Sequence, residues 1–103
     1  MGTPFYLAPE LLFAETRQSY SVKSDVWALG VILYELCALR KPFLGNNEEQ
    51  LYERIRDDDI NHIPHLSKEM MDLLSVMLAK DRDVRPTVRE ILESDFIRKA
   101  SCN

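Results

Sequence analysis

Apolar residues dominate the segment from Ser24 to Leu39 and cover every side of a helical wheel, with Asp25 and Glu35 as the acidic exceptions. The segment is too long for a typical strand, and as a helix it is too short to cross a bilayer. A helix that is apolar on all sides belongs inside a core with several neighbours. The pattern therefore predicts one central, buried hydrophobic helix.

Three shorter helices are predicted after the central one, each from a capping residue followed by an apolar repeat. Asn47 is suited to cap the first, with Gln50 placed to close a capping box, and Ser67 is suited to cap the second. Thr87 and Glu90 form the capping box of the last helix. The positions expected to face the core are Leu51, Tyr52, Ile55, Met70, Leu73, Leu74, Met77, Leu78, Ile91 and Leu92.

Turn signals separate these helices, and strand-like alternation is nearly absent from the sequence. A further short helix is expected over residues 11–14, and the segment 41–45, with its proline and glycine, is expected to end the central helix. Residues 96–97 are expected to close the core. The sequence therefore predicts an all-α fold in which shorter helices surround one central buried helix.

Charge and cysteine content narrow the class of protein. Thirteen Lys and Arg residues against seventeen Asp and Glu residues give a net charge of −4, which argues against a nucleic-acid or acidic-membrane partner. No apolar run approaches the roughly 20 residues of a membrane span. Cys37 and Cys102 are too few for a secreted disulfide scaffold and lack the spacing of a zinc site. We therefore expect a protein of the reducing cytoplasm, without nucleic-acid or membrane partners.

Candidate sites for phosphate or metal are weak. The chain has three glycines and they are not clustered, which excludes a glycine-rich phosphate loop. His62 and His65 lie near the acidic run Asp57–Asp59, but no second group of ligands accompanies them and the intervening proline loop fixes no geometry. No metal site is predicted.

Three strings resemble the C-terminal lobe of a eukaryotic protein kinase. GTPFYLAPE at 2–10 resembles the end of an activation segment with its Ala-Pro-Glu element, and SDVWALGVILYELC at 24–37 resembles the central hydrophobic helix of that lobe. DRDVRPTVREIL at 81–92 resembles the Arg-Pro stretch before the last helix. Within the superfamily, LYELCALRKPF and the following GNN are most similar to the NIMA-related Ser/Thr kinases. The resemblance implies a partial kinase domain over residues 1–98 and a frayed tail at 99–103.

The resemblance assigns structural roles to three charged residues. It implies that Glu10 and Arg85 form a largely buried ion pair that pins the activation segment to the helical base. Arginine suits this role because its planar guanidinium binds a carboxylate through two hydrogen bonds. It also implies that Asp25 holds the backbone of the catalytic loop, and the alternative is a carboxylate that only complements the helix dipole.

The first residues are implied to contact the substrate. In Ser/Thr kinases a threonine at the position of Thr3 bonds the catalytic aspartate and lysine, and the loop around it holds the residue that follows the phosphorylated Ser or Thr. The alternative is a surface turn shaped by Pro4. The substrate-binding residues implied by the resemblance are Gly2, Thr3, Pro4, Phe5, Tyr6 and Leu7.

Phosphoryl transfer needs further residues that this sequence does not contain. The carriers are a glycine-rich loop, a Val-Ala-Ile-Lys-like strand, His-Arg-Asp and Asp-Phe-Gly, and none occurs in the chain. The expectation is therefore a kinase fragment with no catalytic, cofactor or metal residues of its own, which is inactive alone. In the intact kinase, ATP and Mg would bind to the N-lobe and catalytic loop that are missing here.

Two functions remain open at this point. The chain is either part of a Ser/Thr protein kinase, supplying its substrate-side loop and structural base, or a non-catalytic docking module that binds proteins through a helix from Glu48 to Arg56. Association with the cytoskeleton is expected if the NIMA-related resemblance holds. Because parts absent here normally cover the central helix of the family, we also expect an exposed apolar patch that promotes self-association.

Overall fold

The computed structural model describes residues 7–12 and 21–94. In these two ranges the backbone forms five helices and no strands, so the all-α prediction is confirmed for them. None of these helices has the length and apolarity that a membrane crossing requires. The helices in chain order are α1 (Pro9–Leu12), α2 (Val22–Ala38), α3 (Glu48–Asp57), α4 (Lys68–Met77) and α5 (Val88–Glu93).

Helix α2 has well-defined ends. Ser21 caps its N-terminus by accepting a hydrogen bond from the backbone N–H of Lys23, and the Ser24 hydroxyl closes a capping box by accepting from the Ser21 N–H. Leu39 ends the helix in the left-handed conformation, with φ of 60°, and its N–H donates to the Glu35 carbonyl. The helix therefore ends before the segment 41–45, which was expected to end it. The left-handed conformation of Leu39 already interrupts the helical hydrogen-bond pattern.

One side of α2 forms the centre of the core. Trp27, Val31 and Tyr34 are fully buried there, and the helix packs against α4. Gly30 permits this close approach, since a Cβ at that position would lie 3.1 Å from both the Met77 Cβ and the Leu78 Cδ2. The buried residues that form the main cluster are Ala8, Trp27, Val31, Tyr34, Phe43, Leu51, Ile55, Ile63, Leu74 and Leu78.

The opposite side of α2 carries an exposed apolar stripe. We call the residues Val22, Leu29, Ile32 and Leu36 the α2 stripe; Leu36 is 70% exposed. The predicted central hydrophobic helix is therefore present, with its buried side in the core and the α2 stripe exposed in the described part of the chain. The expected apolar patch is present on the other side.

The capping predictions hold with one correction. Ser67 accepts from the Met70 N–H at 3.2 Å, and the Thr87–Glu90 box is complete at 2.9 and 3.0 Å. Asn47 caps α3 as predicted, by accepting from the Gln50 N–H at 2.8 Å. The Gln50 side chain, however, accepts from the N–H of Asn46 instead of Asn47, so the predicted box closes one residue earlier.

Most predicted core positions face inward. Leu92 is the clear exception, at 61% exposed, because it neighbours buried Ile91 and adjacent residues point about 100° apart around a helix. Helix α1 begins at Pro9, two residues before the expected start at Leu11. Residues 13 and 14 of that predicted helix, and the predicted core residues Phe96 and Ile97, lie outside the described residues.

Candidate functional site

The site is centred on a buried ion pair between Glu10 and Arg85. The Arg85 Nη2 atom lies 2.8 Å from Glu10 Oε1, and Nη1 lies 2.9 Å from Oε2. The Arg85 side chain is 0% exposed and that of Glu10 is 5% exposed. The structure thus brings together the two residues that the sequence resemblance paired, in a bidentate arrangement.

Prolines and short turns position both side chains. Glu10 follows Pro9 in the first turn of α1. Arg85 precedes Pro86 and ends a tight turn whose backbone bonds run from the Val84 N–H to the Asp81 carbonyl and from the Arg85 N–H to the Arg82 carbonyl. A proline fixes its own φ and restricts the residue before it, so Pro86 restricts the backbone of Arg85, and Pro9 fixes the backbone immediately before Glu10.

Every N–H of the Arg85 guanidinium has an acceptor. Beyond the carboxylate, Nε donates to the Ala79 carbonyl at 2.8 Å, Nη1 to the Lys23 carbonyl at 3.0 Å and Nη2 to the Lys80 carbonyl at 3.3 Å. A guanidinium has five N–H groups, so its donor capacity is filled. This matters because a buried charge is tolerated only when it is both paired and hydrogen-bonded.

The Glu10 carboxylate has a third donor. The Ser24 hydroxyl, itself buried in the first turn of α2, donates to Glu10 Oε2 at 2.9 Å. Burial alone would raise the pKa of Glu10. The hydrogen bonds and charge of Arg85, together with the hydrogen bond from Ser24, lower the pKa by a larger amount, so it lies below its ordinary value of 4.5. The pair is therefore ionised at neutral pH.

Lys23 reinforces the connection from α2. Its ammonium donates to the Arg85 carbonyl and, at 3.4 Å, to the Arg82 carbonyl, while Arg85 donates to the Lys23 carbonyl. Sequence reasoning missed Lys23 and Ser24. The available signal was their place at the start of α2, where polar residues precede the apolar run and lie beside Asp25.

Two aromatic rings and a second cation flank the ion pair. Trp27 and Phe43 stack with centroids 5.8 Å apart, and the Arg85 Cζ lies 5.0 Å from the Trp27 centroid. The Lys80 ammonium lies 4.2 Å from the Phe43 centroid and 5.3 Å from that of Trp27. Cations over aromatic faces are attracted by the ring quadrupole, which favours this arrangement.

Two donors in this cluster have no hydrogen bond. In the part of the chain that the structure describes, Trp27 Nε1 and Lys80 Nζ are buried without an acceptor. A buried indole N–H ordinarily finds an acceptor, so Trp27 is an exception among the described residues. Burial lowers the pKa of Lys80 to about 8, although the carboxylates of Asp57, Asp58 and Asp59 oppose that shift.

The remaining predicted residues are not joined to this cluster. Asp25 lies in the first turn of α2 with an exposed side chain, and no hydrogen bond or ion pair involves it among residues 21–94 and 7–12. Leu7 is half-buried just before α1. Gly2, Thr3, Pro4, Phe5 and Tyr6, the other predicted substrate-binding residues, lie outside the described residues.

Two carboxylates of the acidic run near α3 form ion pairs with arginines. Asp57 accepts two hydrogen bonds from Arg56, at 3.0 and 3.1 Å, and Asp58 lies 3.9 Å from Arg54. Over the two described ranges, no three histidine, cysteine or carboxylate side chains gather in a geometry that could hold an ion.

A shallow cleft of about 250 Å³ lies at the C-terminal end of α3. It is lined by Arg40, Lys41 and Phe43 from the loop after α2, and by Arg54 and Asp58 from α3 and the residue that follows it. Positively and negatively charged side chains thus share one surface beside the helix that the docking hypothesis named.

Comparison with known proteins identifies the family to which the chain belongs. The family model "Protein kinase domain" matches residues 1–97. The chain therefore belongs to the protein kinase domain family, which generally uses ATP and Mg.

Individual curated relatives show which protein kinases the chain is similar to. The chain is 42% identical to the serine/threonine-protein kinase Nek2 of Homo sapiens over 98 residues, which cover 94% of this chain and 21% of that protein. It is 40% identical to the serine/threonine-protein kinase Nek1 of Mus musculus, covering 96% of this chain and 8% of that protein. It is 37% identical to the G2-specific protein kinase nim-1 of Neurospora crassa, covering 95% and 11%. The predicted similarity to NIMA-related Ser/Thr kinases is confirmed, and the chain spans about a fifth or less of these relatives.

Proposed function

We propose that this chain is the substrate-side helical base of a Ser/Thr protein kinase, which transfers the γ-phosphoryl group of ATP to serine or threonine residues of proteins. The single observation that carries this proposal is the buried, fully hydrogen-bonded pair between Glu10 and Arg85. It joins α1, which begins two residues after the end of the proposed substrate segment 2–7, to the turn between α4 and α5.

The proposed contribution of the pair is positional. Phosphoryl transfer depends mainly on positioning and on electrostatic stabilisation of charge, so the acceptor hydroxyl must be held in a fixed place. A substrate segment whose C-terminal end is fixed at Glu10 is restrained relative to α2 and α4. Asp25, at the exposed start of α2, is proposed to hold the catalytic-loop backbone, which suits a carboxylate because it accepts hydrogen bonds from backbone N–H groups.

A chimeric kinase tests this proposal. Residues 1–97 of this chain would replace the matching segment of human Nek2, and phosphorylation of a generic Ser/Thr protein substrate would be measured. We expect an active chimera, loss of activity in its Arg85→Ala variant, and retained activity in Arg89→Ala, a matched control on the exposed side of α5. A folded but inactive chimera would contradict the proposal.

The chain alone is proposed to be inactive. The residues that would hold ATP and Mg²⁺ are not in its sequence, so calorimetric titration with MgATP should give no binding heat and no thermal stabilisation. Binding at micromolar concentration would show that the chain contains a nucleotide site after all.

The cleft at the end of α3 favours a second candidate function, that of a helical docking module. Exposed Leu44 and the charged side chains of Arg40 and Arg54 provide the mixed surface that protein recognition uses. The chimera separates the two functions, because an inactive, correctly folded chimera that still binds Nek2 substrates would favour docking without catalysis.

Self-association of the isolated chain is a further part of the proposal. The α2 stripe exposes apolar side chains over the length of the helix, and contiguous exposed patches of this kind promote association. Light scattering should show the apparent mass rising with concentration, and Leu36→Glu should reduce that rise. A wild-type chain that stays monomeric at high concentration would contradict this part.

A further inference from the structure

Ser24 takes part in two hydrogen-bond networks at once. Its hydroxyl accepts from the Ser21 N–H at 3.3 Å, which closes the capping box of α2, and donates to Glu10 Oε2 at 2.9 Å. The Ser24 residue and its bond to Glu10 are buried, whereas its bond from the Ser21 N–H is partly buried. Ser24 therefore connects the N-terminus of α2 directly to the ion pair.

The chemistry of the two partners fixes the direction of each bond. A backbone N–H can only donate, and an ionised carboxylate can only accept. The single hydroxyl proton must therefore point at Glu10, while a lone pair faces Ser21. Because α2 holds the Ser24 backbone, the hydroxyl presents its proton to the carboxylate from a fixed place.

We propose that Ser24 is a positioning residue that orients the Glu10 carboxylate for its two bonds to Arg85. Arg85 binds both carboxylate oxygens, whereas Ser24 binds Oε2 alone, so the three donors together define the plane of the carboxylate. The relevance of this role to substrate placement rests on the proposed function. The contact between Ser24 and Glu10 is independent of that proposal.

Titration of Glu10 in the isolated chain tests the inference. Carbon-detected NMR of the Glu10 carboxyl would be compared in the wild type, Ser24→Ala and Ser21→Ala. The control Ser21→Ala removes the side-chain cap on the Lys23 N–H but leaves the bond between Ser24 and Glu10. We expect the pKa of Glu10 to rise in Ser24→Ala, to stay unchanged in Ser21→Ala, and to return towards the wild-type value in Ser24→Thr.

The stability of the same variants gives a second readout. The charged groups that face Glu10 are Arg85 and, through the Arg85 carbonyl, Lys23. Since the folded pKa of Glu10 lies below its ordinary value of 4.5, its stabilising effect is present above that pH and is lost as the pH falls through the folded pKa. Ser24→Ala should lower the folding equilibrium constant about tenfold at pH 7, and by less in acid. The effect of Ser21→Ala should not change with pH.

Two outcomes would overturn the positioning role. One is an unchanged Glu10 titration in Ser24→Ala, and the other is an equal rise in Ser21→Ala, which would assign the effect to helix capping. Neither measurement involves phosphoryl transfer. An inactive chimera with the expected titration would therefore count against the proposed function alone, and an unchanged titration in an active chimera against the role of Ser24 alone.

Discussion

Two ion pairs in this protein have the same length and different surroundings. Arg85 and Glu10 approach to 2.8 Å with side chains 0% and 5% exposed, and Lys68 and Asp72 approach to 2.8 Å with side chains 85% and 64% exposed. Exposed pairs contribute little because water and salt screen them, whereas removing one partner of a buried pair leaves an unpaired charge in a medium that solvates it poorly. Burial, and not distance, therefore decides which pair matters.

The two pairs also differ in what they connect. Lys68 and Asp72 lie one turn apart on α4, so their contact reinforces a helix that already exists. Glu10 and Arg85 belong to opposite ends of the described chain, and their contact joins α1 to the turn before α5. Loss of the contact between Glu10 and Arg85 therefore affects the tertiary structure.

The largest effect is expected for Arg85→Ala. This substitution leaves Glu10 buried without its main counter-charge and should lower the free energy of unfolding by about 3–5 kcal/mol. Urea denaturation at pH 7 measures it, with Arg89→Ala as the control, whose effect should stay within about 0.5 kcal/mol. Similar small losses in both variants would mean that the buried pair contributes no more to the free energy of unfolding than a surface charge does.

Arg85→Lys should have the next largest effect and separates charge from geometry. Lysine keeps the positive charge but lacks the planar fork, so it cannot bind both oxygens of Glu10 together with the carbonyls of Ala79, Lys23 and Lys80. We expect a loss of about 2 kcal/mol in the same denaturation experiment. Wild-type stability in Arg85→Lys would show that charge alone is sufficient.

Lys80 tests the burial of a cation whose ammonium has no hydrogen-bond partner among the described residues. Its folded pKa of about 8 lies below its ordinary value of 10.5, so between these values the unfolded chain binds more protons than the folded one. Stability should therefore rise with pH from about 8 to 10, and this rise should be smaller in Lys80→Met. Chemical denaturation across that range measures it. Parallel curves for both proteins would exclude Lys80 as the titrating group.

The smallest effect is expected for Asp72→Ala. Because both side chains of this pair are exposed, the melting temperature should change by less than about 2 °C, and 1 M salt should remove the difference. The same salt should leave the effect of Arg85→Ala almost unchanged. A strongly salt-dependent Arg85→Ala effect would mean that the Glu10 site is open to solvent.

The sequence predicted those features that depend on local chemistry. The helix caps at Asn47, Ser67 and Thr87 could be predicted because a short polar side chain before an apolar repeat is typical of a helix N-terminus. The apolar segment predicted the end of α2 to within one residue, but the left-handed conformation of Leu39 could not be predicted, because leucine rarely adopts it.

The site could be predicted only in part. The pairing of Glu10 and Arg85 followed from the resemblance of the strings at 2–10, 24–37 and 81–92 to a kinase C-terminal lobe. The contributions of Ser24, Lys23 and Lys80 could not be predicted, since they depend on which residues tertiary packing brings around the carboxylate and the rings. The exposed α2 stripe shows the same limit, because an apolar pattern indicates which faces favour burial and not which neighbours cover them.

A double-mutant cycle on Glu10→Ala and Arg85→Ala, with Lys68→Ala and Asp72→Ala as the reference cycle, tests the central claim most directly. If the buried pair fixes α1 to the turn before α5, removing both partners should cost much less than the sum of the single losses, with a coupling of about 3 kcal/mol. Additive losses, or a coupling no larger than that of the exposed pair, would contradict the account.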